Sequence, residues 1–159
     1  MRIGQGFDVH SFTDGDSVRI GGVDIPHDYA IAAHSDGDVL LHAICDAMLG
    51  AVGLGDIGEH FPDTDSRWRG ADSAHLTAEV NAKIKGSGWR IGNLDATIIA
   101  QRPKFSPHIP AMVNRVADIL QIDSSQVSIK ATTTERLGFV GREEGIAAMA
   151  VVLLAHTDA

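Results

Sequence analysis

Asp8 and His10 lie two positions apart in the run GQGFDVHSF, residues 4–12. Side chains two apart on an extended strand point to the same side, so a carboxylate and an imidazole are expected to project together. A third donor, His42, occurs in a mostly apolar segment that predicts a helix. Three protein ligands with a fourth position left open are typical of catalytic zinc sites. Spacing alone also allows an isolated D-x-H pair and a hydrogen-bonded core histidine.

Two acidic residues, Asp38 and Asp46, repeat with His42 at intervals of four along the predicted helix. They form the only polar line on a segment that is apolar on its other sides, and such a helix is buried on most sides. Two interpretations stay open for these carboxylates. Either they fix the tautomer of His42, or they are ordinary polar members of the stripe.

The stretch AAHSDGD places His34 and Ser35 just before the predicted start of that helix. Free backbone N–H groups and the positive helix end favour phosphate at such a position. Simple helix capping would explain Ser35 and Asp36 equally well, but it would not explain His34.

The turn-rich stretch GDIGEHFPDTD carries Asp56, Asp63 and Asp65. Their carboxylates could hold the hydroxyl groups of a sugar alcohol, although carboxylate-rich loops are also common as solvated connections. Further along, QRPKFSP could offer backbone groups to a base and Lys104 to a phosphate, and it also has the composition of an ordinary Pro-rich turn.

The stretch ATTTE ends a predicted strand with three hydroxyl groups and Glu135. Hydroxyl and N–H groups can hold a diphosphate, while a carboxylate suits a hard divalent ion. The simpler explanation is that threonine is common in strands.

Composition limits the classes of function. The formal net charge is −8 and no basic stripe occurs, which argues against nucleic acid as a partner. The longest apolar run, IAAMAVVLLA, is about half the length of a membrane span, and the first residues lack the apolar core of a signal peptide. Cys45 is the only cysteine, which suits a reducing compartment, so we expect a cytoplasmic protein without a membrane segment.

The elements that must position these residues alternate along the chain. Strands are predicted at the start of the chain, in a hairpin turning at Gly21-Gly22, at about 90–101, in VSIKATT and in AMAVVLLA. Helices are predicted over about 36–52, with Ser35 or Asp36 as N-cap, and over about 72–85 and 108–120. The last strand is apolar on both faces and is expected at the centre of the sheet.

This order predicts a single domain over residues 1–159 of the α+β class, with one mixed sheet and helices packed on one face. The other face of the sheet then needs cover, and self-association would provide it.

Taken together, these stretches resemble the 2-C-methyl-D-erythritol 2,4-cyclodiphosphate synthase family of the non-mevalonate isoprenoid pathway. The matching blocks are GFDVH, AHSDGDVLLHA, GDIGEHFPDTD, TIIAQRPK, HIP and KATTTERLGFVGREEGIA, in the family's order and spacing. The resemblance implies a homotrimer whose sheets face the threefold axis, with active sites between adjacent subunits. It also implies a central cavity that takes isoprenoid diphosphates near Phe139 and Arg142.

The resemblance implies two metal sites: zinc on Asp8, His10 and His42, and magnesium or manganese on the substrate diphosphate with help from Glu135. It implies catalytic roles for His34 and Thr133 at the pentavalent phosphorus. The methylerythritol part is expected to bind at His34, Ser35, Asp56, Ile57, Gly58, Phe61 and Asp63. Further substrate contacts are expected at Asp8, His10, Pro62 and Asp65. The cytidine diphosphate part is expected at Ala100, Arg102, Pro103, Lys104, Phe105, Ser106, Ala131, Thr132, Thr133, Thr134 and Glu135. Phe105 and Ser106 depart from the family's usual Leu, Met or Ala, which weakens any claim on their side chains.

The family reaction turns 4-diphosphocytidyl-2-C-methyl-D-erythritol 2-phosphate into the 2,4-cyclodiphosphate and releases CMP. The substrate's own 2-phosphate attacks the β-phosphorus, which agrees with a chain that has no nucleophile motif. Two alternatives remain: a zinc phosphohydrolase, in which water attacks, and a non-catalytic zinc trimer that binds isoprenoid diphosphates.

Overall fold

A computed structural model of the chain describes residues 1–157; positions 158 and 159 of the predicted domain lie outside the described residues. The strands are β1 (Arg2–Asp14), β2 (Ser17–Ile20), β3 (Val23–Pro26), β4 (Tyr29–Ile31), β5 (Trp89–Ile99), β6 (Val127–Thr132) and β7 (Gly145–His156). The helices are α1 (Val39–Val52), α2 (Ile57–His60), α3 (Ser73–Gly86), α4 (Ile109–Leu120) and α5 (Gly138–Gly141).

The main sheet has five strands in the order β4-β1-β7-β5-β6. The pairs β4/β1, β1/β7 and β7/β5 are antiparallel, and β5/β6 is parallel. The mixed sheet with β7 at its centre confirms the predicted fold class. The hairpin turning at Gly21-Gly22 is also confirmed, but β2 and β3 form a separate two-stranded sheet.

Helix α1 lies closely against β1 because glycines on that strand remove the side chains between them. A Cβ atom at Gly4 would stand 1.9 Å from the carbonyl oxygen of Ala47, and one at Gly6 would stand 2.0 Å from that of Ala43. The next residues on the same side of β1 are Asp8 and His10. Close packing therefore brings these two side chains towards the amino-terminal part of α1.

The start of α1 differs from the prediction. The helix begins at Val39 with Asp38 as its N-cap, rather than near residue 36 with Ser35 or Asp36 as N-cap. Gly37 has φ +76°, which breaks the helical path before Asp38. The Asp38 carboxylate accepts hydrogen bonds from the N–H groups of Leu41, Gly21 and Gly22 at 3.1, 2.9 and 2.6 Å. One buried carboxylate therefore caps α1 and joins it to the turn of the hairpin.

The helices α1, α3 and α4 cover one face of the sheet, with α1 against β1 and β7 and with α3 between α1 and α4. On the opposite face, large apolar side chains of the two central strands stay exposed in the single chain: Ile3, Phe7, Val9, Met149 and Val151. Phe7 is paired with Met149 across the strands. The self-association predicted from the sequence remains a prediction, and this face is the surface that it would bury.

Candidate metal centre and adjoining cavities

Asp8, His10 and His42 bring three ligand atoms together, as their spacing predicted. The Oδ2 atom of Asp8 lies 3.0 Å from Nε2 of His10 and 3.0 Å from Nδ1 of His42. The two imidazole nitrogens are 3.2 Å apart. Two ligands come from neighbouring positions on one side of β1, and the third comes from the first turn of α1.

This triangle fits a small dication. A tetrahedral zinc ion with bonds of about 2.0–2.1 Å separates neighbouring ligand atoms by roughly 3.3–3.4 Å, close to the observed spacing. Two imidazoles and one carboxylate leave a fourth position open, which is the donor set of a catalytic zinc site. The residues present therefore fit a bound divalent metal ion.

The charges within the triangle reinforce one another. Burial alone would raise the pKa of the Asp8 carboxyl, but hydrogen bonds and charges from His10 and His42 hold it well below its usual range. Burial likewise opposes the charged form of His42, yet the bond to Asp8 and the nearby carboxylates raise its pKa. The site thus carries a carboxylate that stays ionised and an imidazole whose Nδ1 faces it.

The far side of the His42 ring is held by hydroxyl groups. Its Nε2 atom lies 2.9 Å from Oγ of Ser73 and 3.3 Å from Oγ of Ser35. Ser73 in turn donates its hydroxyl proton to Asp36, and its backbone N–H donates to the same carboxylate at 3.1 Å. Ser73 was missed in the sequence because a serine at a helix start has the appearance of an ordinary cap.

The two carboxylates that flank His42 along α1 are bonded elsewhere. Asp38 is the cap described above, and Asp46 accepts a hydrogen bond from the backbone N–H of Ile57 at 2.8 Å. Asp46 therefore ties α2 and its loop to α1. Neither Asp38 nor Asp46 is hydrogen-bonded to the imidazole of His42, so the first of the two interpretations is not supported. The group bonded to Nε2 of His42 is Ser73, which is itself bonded to Asp36.

A cavity of about 340 Å³ adjoins two of the three ligands, His10 and His42, and Asp8 does not line it. It is lined by His10, Ala33, His34, Ser35, His42, Ile57, Gly58, Phe61, Asp63, Trp68 and Leu76. Eight of these are residues singled out from the sequence, and Ala33, Trp68 and Leu76 are not. Trp68 meets Phe61 edge to face at 4.9 Å between ring centroids, so one wall is apolar and aromatic. The cavity suits a small molecule with a methyl group beside polar groups.

Three other residues predicted in this loop do not line the cavity. Asp56 caps α2 by accepting from the N–H of Glu59 at 3.0 Å. Asp65 pairs with Arg67 at 2.6 Å and accepts from its backbone N–H. Pro62 lies between Phe61 and Asp63. Their predicted substrate contacts remain predictions.

A second cavity, of about 330 Å³, gathers most of the residues expected to bind a cytidine diphosphate. Its lining consists of Ala100, Gln101, Pro103, Lys104, Phe105, Ser106, Ala131, Thr132 and Thr133. Thr134 and Glu135 follow directly, and the Glu135 carboxylate accepts from the Thr133 hydroxyl at 2.9 Å. Within one chain, His34 and Thr133 thus line different cavities.

Arg102, Phe139 and Arg142 do not line either cavity. Arg102 pairs with Asp28 at 3.4 Å at the edge of a neighbouring groove that Pro103 and Lys104 also line. Phe139 on α5 is 41% exposed, and Arg142, which follows α5, pairs with Glu144 at 2.8 Å. Their predicted ligand contacts, like the central cavity, remain predictions.

Known proteins match the chain over nearly its full length. A protein of Alcanivorax borkumensis named 2-C-methyl-D-erythritol 2,4-cyclodiphosphate synthase is 62% identical over 97% of this chain and 96% of its own. A solved structure of the bifunctional IspDF of Campylobacter jejuni is 43% identical, with TM-score 0.94, and covers 98% of this chain and 42% of that one. The CDP complex of Plasmodium falciparum IspF is 37% identical, with TM-score 0.86, over 98% and 96%.

In the part of the chain that the structure describes, no helix combines the length and apolar character needed to cross a membrane.

The model of the YgbB family matches residues 1–155. Because this match covers nearly the whole chain and the relatives are closely similar to it, the chain belongs to the YgbB family.

Proposed function

We propose that this chain is an enzyme that converts 4-diphosphocytidyl-2-C-methyl-D-erythritol 2-phosphate to 2-C-methyl-D-erythritol 2,4-cyclodiphosphate and CMP. The observation that carries the proposal is the convergence of Asp8, His10 and His42 at the edge of the 340 Å³ cavity. Relatives that are 60–62% identical bear the name of this synthase. The reaction makes the enzyme a phosphorus–oxygen lyase.

The bonds formed and broken balance without a nucleophile from the protein. An oxygen of the substrate's 2-phosphate forms a bond to the β-phosphorus, and the bond from that phosphorus to the oxygen shared with CMP breaks. CMP leaves with the electron pair. The protein therefore has to align two phosphates of one molecule, and such alignment can supply up to about 7–11 kcal/mol of the barrier.

In this proposal Asp8, His10 and His42 hold zinc. When bound, zinc supplies Lewis-acid stabilisation of charge on a phosphoryl oxygen. Beside it, His34 and Ser35 can donate hydrogen bonds to phosphate oxygens, and Asp63 can accept from hydroxyl groups. Phe61 and Trp68 offer an apolar wall for the methyl group.

The second cavity is proposed to bind the cytidine and its diphosphate. Backbone groups around Lys104 and Phe105 can hydrogen-bond the base, and the hydroxyl groups of Thr132 and Thr133 can bind phosphate oxygens. Glu135 offers hard oxygen ligands to magnesium or manganese carried by the diphosphate. The Thr133 hydroxyl donates its one proton to Glu135 in this structure, and with that carboxylate on the metal the proton can be donated to an oxygen of the phosphoryl group under attack.

We further propose that the active protein is a homotrimer. The apolar face of β1 and β7 needs cover, and packing three copies around an axis would provide it. Such packing would also bring the metal cavity of one chain to the second cavity of its neighbour, so that His34 and Thr133 act on one substrate. An isoprenoid diphosphate near Phe139 and Arg142 belongs to the same proposal.

Phosphorus-31 NMR of the products tests the function. The purified protein, with zinc and magnesium, is incubated with 4-diphosphocytidyl-2-C-methyl-D-erythritol 2-phosphate. A cyclic diphosphate and one equivalent of CMP support the proposal. Linear phosphates would instead indicate a zinc phosphohydrolase. No turnover, with tight binding of farnesyl diphosphate, would favour the non-catalytic alternative.

A further inference from the structure

We propose that Ser73, held by Asp36, is a positioning residue of the metal centre: it accepts the Nε2 proton of His42 and so presents Nδ1 to the metal. The inference rests on the proposed metal site. Neither Ser73 nor Asp36 was among the predicted site residues, and neither contacts the proposed substrate cavity.

The contacts of Ser73 leave one arrangement of protons. The Asp36 carboxylate can only accept hydrogen bonds, so the Ser73 hydroxyl must donate its proton to Asp36. The lone pairs of the Ser73 oxygen then face Nε2 of His42 at 2.9 Å. Nε2 must therefore carry a hydrogen. In the neutral imidazole that a metal ion requires, the lone pair is consequently on Nδ1, the atom that lies 3.0 Å from Asp8 and 3.2 Å from His10.

Burial makes this arrangement stiff. Ser73 has no exposed surface, and His42 is 9% exposed. The backbone N–H of Ser73 donates to the second oxygen of Asp36 at 3.1 Å, so the carboxylate is held at two points. A buried hydroxyl with this pairing has no solvent-facing alternative, and the orientation of the imidazole follows from it.

Ser35 is the weaker neighbour of the same nitrogen. Its hydroxyl oxygen is 3.3 Å from Nε2 of His42, and it also accepts from the N–H of Gly37 at 3.2 Å. Because Ser73 already takes the Nε2 proton, the hydroxyl proton of Ser35 stays available for a ligand in the cavity. The two serines thus have different roles: Ser73 orients the imidazole, and Ser35 faces the cavity.

Arg19 links the same carboxylate to the hairpin. Its guanidinium binds Asp24 with two hydrogen bonds, at 2.7 and 2.8 Å, and its Nη1 lies 3.9 Å from Oδ2 of Asp36. A chain of polar contacts, called the relay below, therefore runs from Arg19 on β2 through Asp36 and Ser73 to His42.

Zinc affinity measured by competition with a chromophoric chelator tests the relay without any turnover assay. Ser73→Ala should weaken zinc binding roughly 10- to 100-fold, the usual cost of removing a group that orients a ligand. Thr77→Val is the matched control: it removes another fully buried hydroxyl of α3, bonded to Cys45 and to the Ser73 carbonyl. The control should bind zinc as tightly as the wild type.

Two further measurements test the same contacts. If Ser73→Ala does not fold, Asp36→Asn replaces it, because an amide that donates to Ser73 would turn the hydroxyl towards Nε2. Nitrogen-15 NMR of the zinc-loaded wild type should show a proton on Nε2 of His42 and the metal on Nδ1.

Equal zinc affinity in the wild type, Ser73→Ala and Asp36→Asn would overturn the relay, as would metal on Nε2. Neither result would touch the proposed reaction, which the product assay tests separately. Conversely, the expected zinc affinities without formation of a cyclic product would support the relay and contradict the proposed reaction.

Discussion

The Nδ1 atom of His42 lies 3.0 Å from Oδ2 of Asp8, although 34 residues separate the two along the chain. This contact depends on how closely α1 approaches β1. Gly4 and Gly6 leave no side chains between strand and helix, and the next residues on that side of the strand are Asp8 and His10. The candidate metal site therefore depends on the packing of α1 on β1.

Replacing Gly6 with alanine tests that dependence. The new Cβ atom would meet the backbone of α1 at 2.0 Å, so the helix must move away from the strand. We expect Gly6→Ala to lower the free energy of unfolding by about 1–3 kcal/mol or more and to weaken metal binding. Urea denaturation measures the first effect and chelator competition the second.

Gly50→Ala is the control, because a Cβ atom there meets nothing within 4 Å. It should stabilise the chain by about 0.5–1 kcal/mol, the gain expected for alanine in a helix. Equal effects of the two substitutions would contradict the close-packing argument.

Removing one ligand should abolish stoichiometric metal binding. His42→Ala leaves Asp8 and His10, which offer too few ligands to hold zinc tightly. His75→Ala is the matched control, since His75 is an exposed histidine on α3 that pairs with Glu79. Elemental analysis after dialysis should find about one zinc per chain in the wild type and control, and none in His42→Ala. Retained zinc in His42→Ala would refute the ligand assignment.

The strand and helix placements followed from patterns that are local in sequence. The D-x-H spacing put Asp8 and His10 on one side of β1, and the apolar surface all round α1 predicted its burial. The predicted start of that helix was wrong because Asp38 is bonded to the distant turn at Gly21 and Gly22, a contact with no local signal in the sequence.

The relay behind His42 could not be predicted for the same reason. Ser73 and His42 are 31 residues apart and meet only because α3 packs on α1. Trp68 lines the cavity beside Phe61, whose ring it meets edge to face. The family resemblance supplied residue roles, but it could not supply these contacts.

The pH dependence of the metal-free protein tests the Asp8–His42 pair. The pKa of Asp8 is lowered, so its contribution to stability is present above about pH 4 and is lost as the pH falls. The pKa of His42 is raised, so its contribution is complete below pH 6.5 and is lost as the pH rises through the higher, folded-state value. Melting temperatures in chelator should therefore fall as the pH rises above 6.5.

Asp8→Asn should reduce this decrease of melting temperature above pH 6.5, because the amide lacks the charge that raises the pKa of His42. Asp95→Asn is the control: it removes an exposed carboxylate paired with Lys130 and should leave the alkaline slope unchanged. An unaltered slope in Asp8→Asn would show that another group titrates.

Mixing inactive chains tests the shared active site. His42→Ala damages the metal cavity, and Thr133→Ala damages the second cavity. If each site takes one cavity from each of two neighbours, equal mixing by unfolding and refolding should restore about a quarter of the sites. Product formation by the mixture measures the recovery.

Mixing His42→Ala with His10→Ala is the control, because both substitutions affect the same cavity and no intact site can form. If the first mixture recovered no activity, each chain would carry a complete site of its own and the shared-site proposal would fail.

Placing a charge on the apolar sheet face tests the oligomer. Phe7 is half exposed in the single chain and paired with Met149, so a glutamate there would meet its symmetry copies in a trimer. Sedimentation should give a trimer for the wild type and a monomer for Phe7→Glu. Thr13→Glu, at an exposed position on the same strand, should remain a trimer. A trimeric Phe7→Glu would place the interface elsewhere.

Anomalous diffraction at the zinc absorption edge, from crystals grown with zinc and CDP, tests the central claim most directly. The expected result is one strong peak about 2.0–2.2 Å from Oδ2 of Asp8, Nε2 of His10 and Nδ1 of His42, with a phosphate oxygen in the fourth position. A peak held by other residues, or these three side chains turned apart around solvent, would contradict the account.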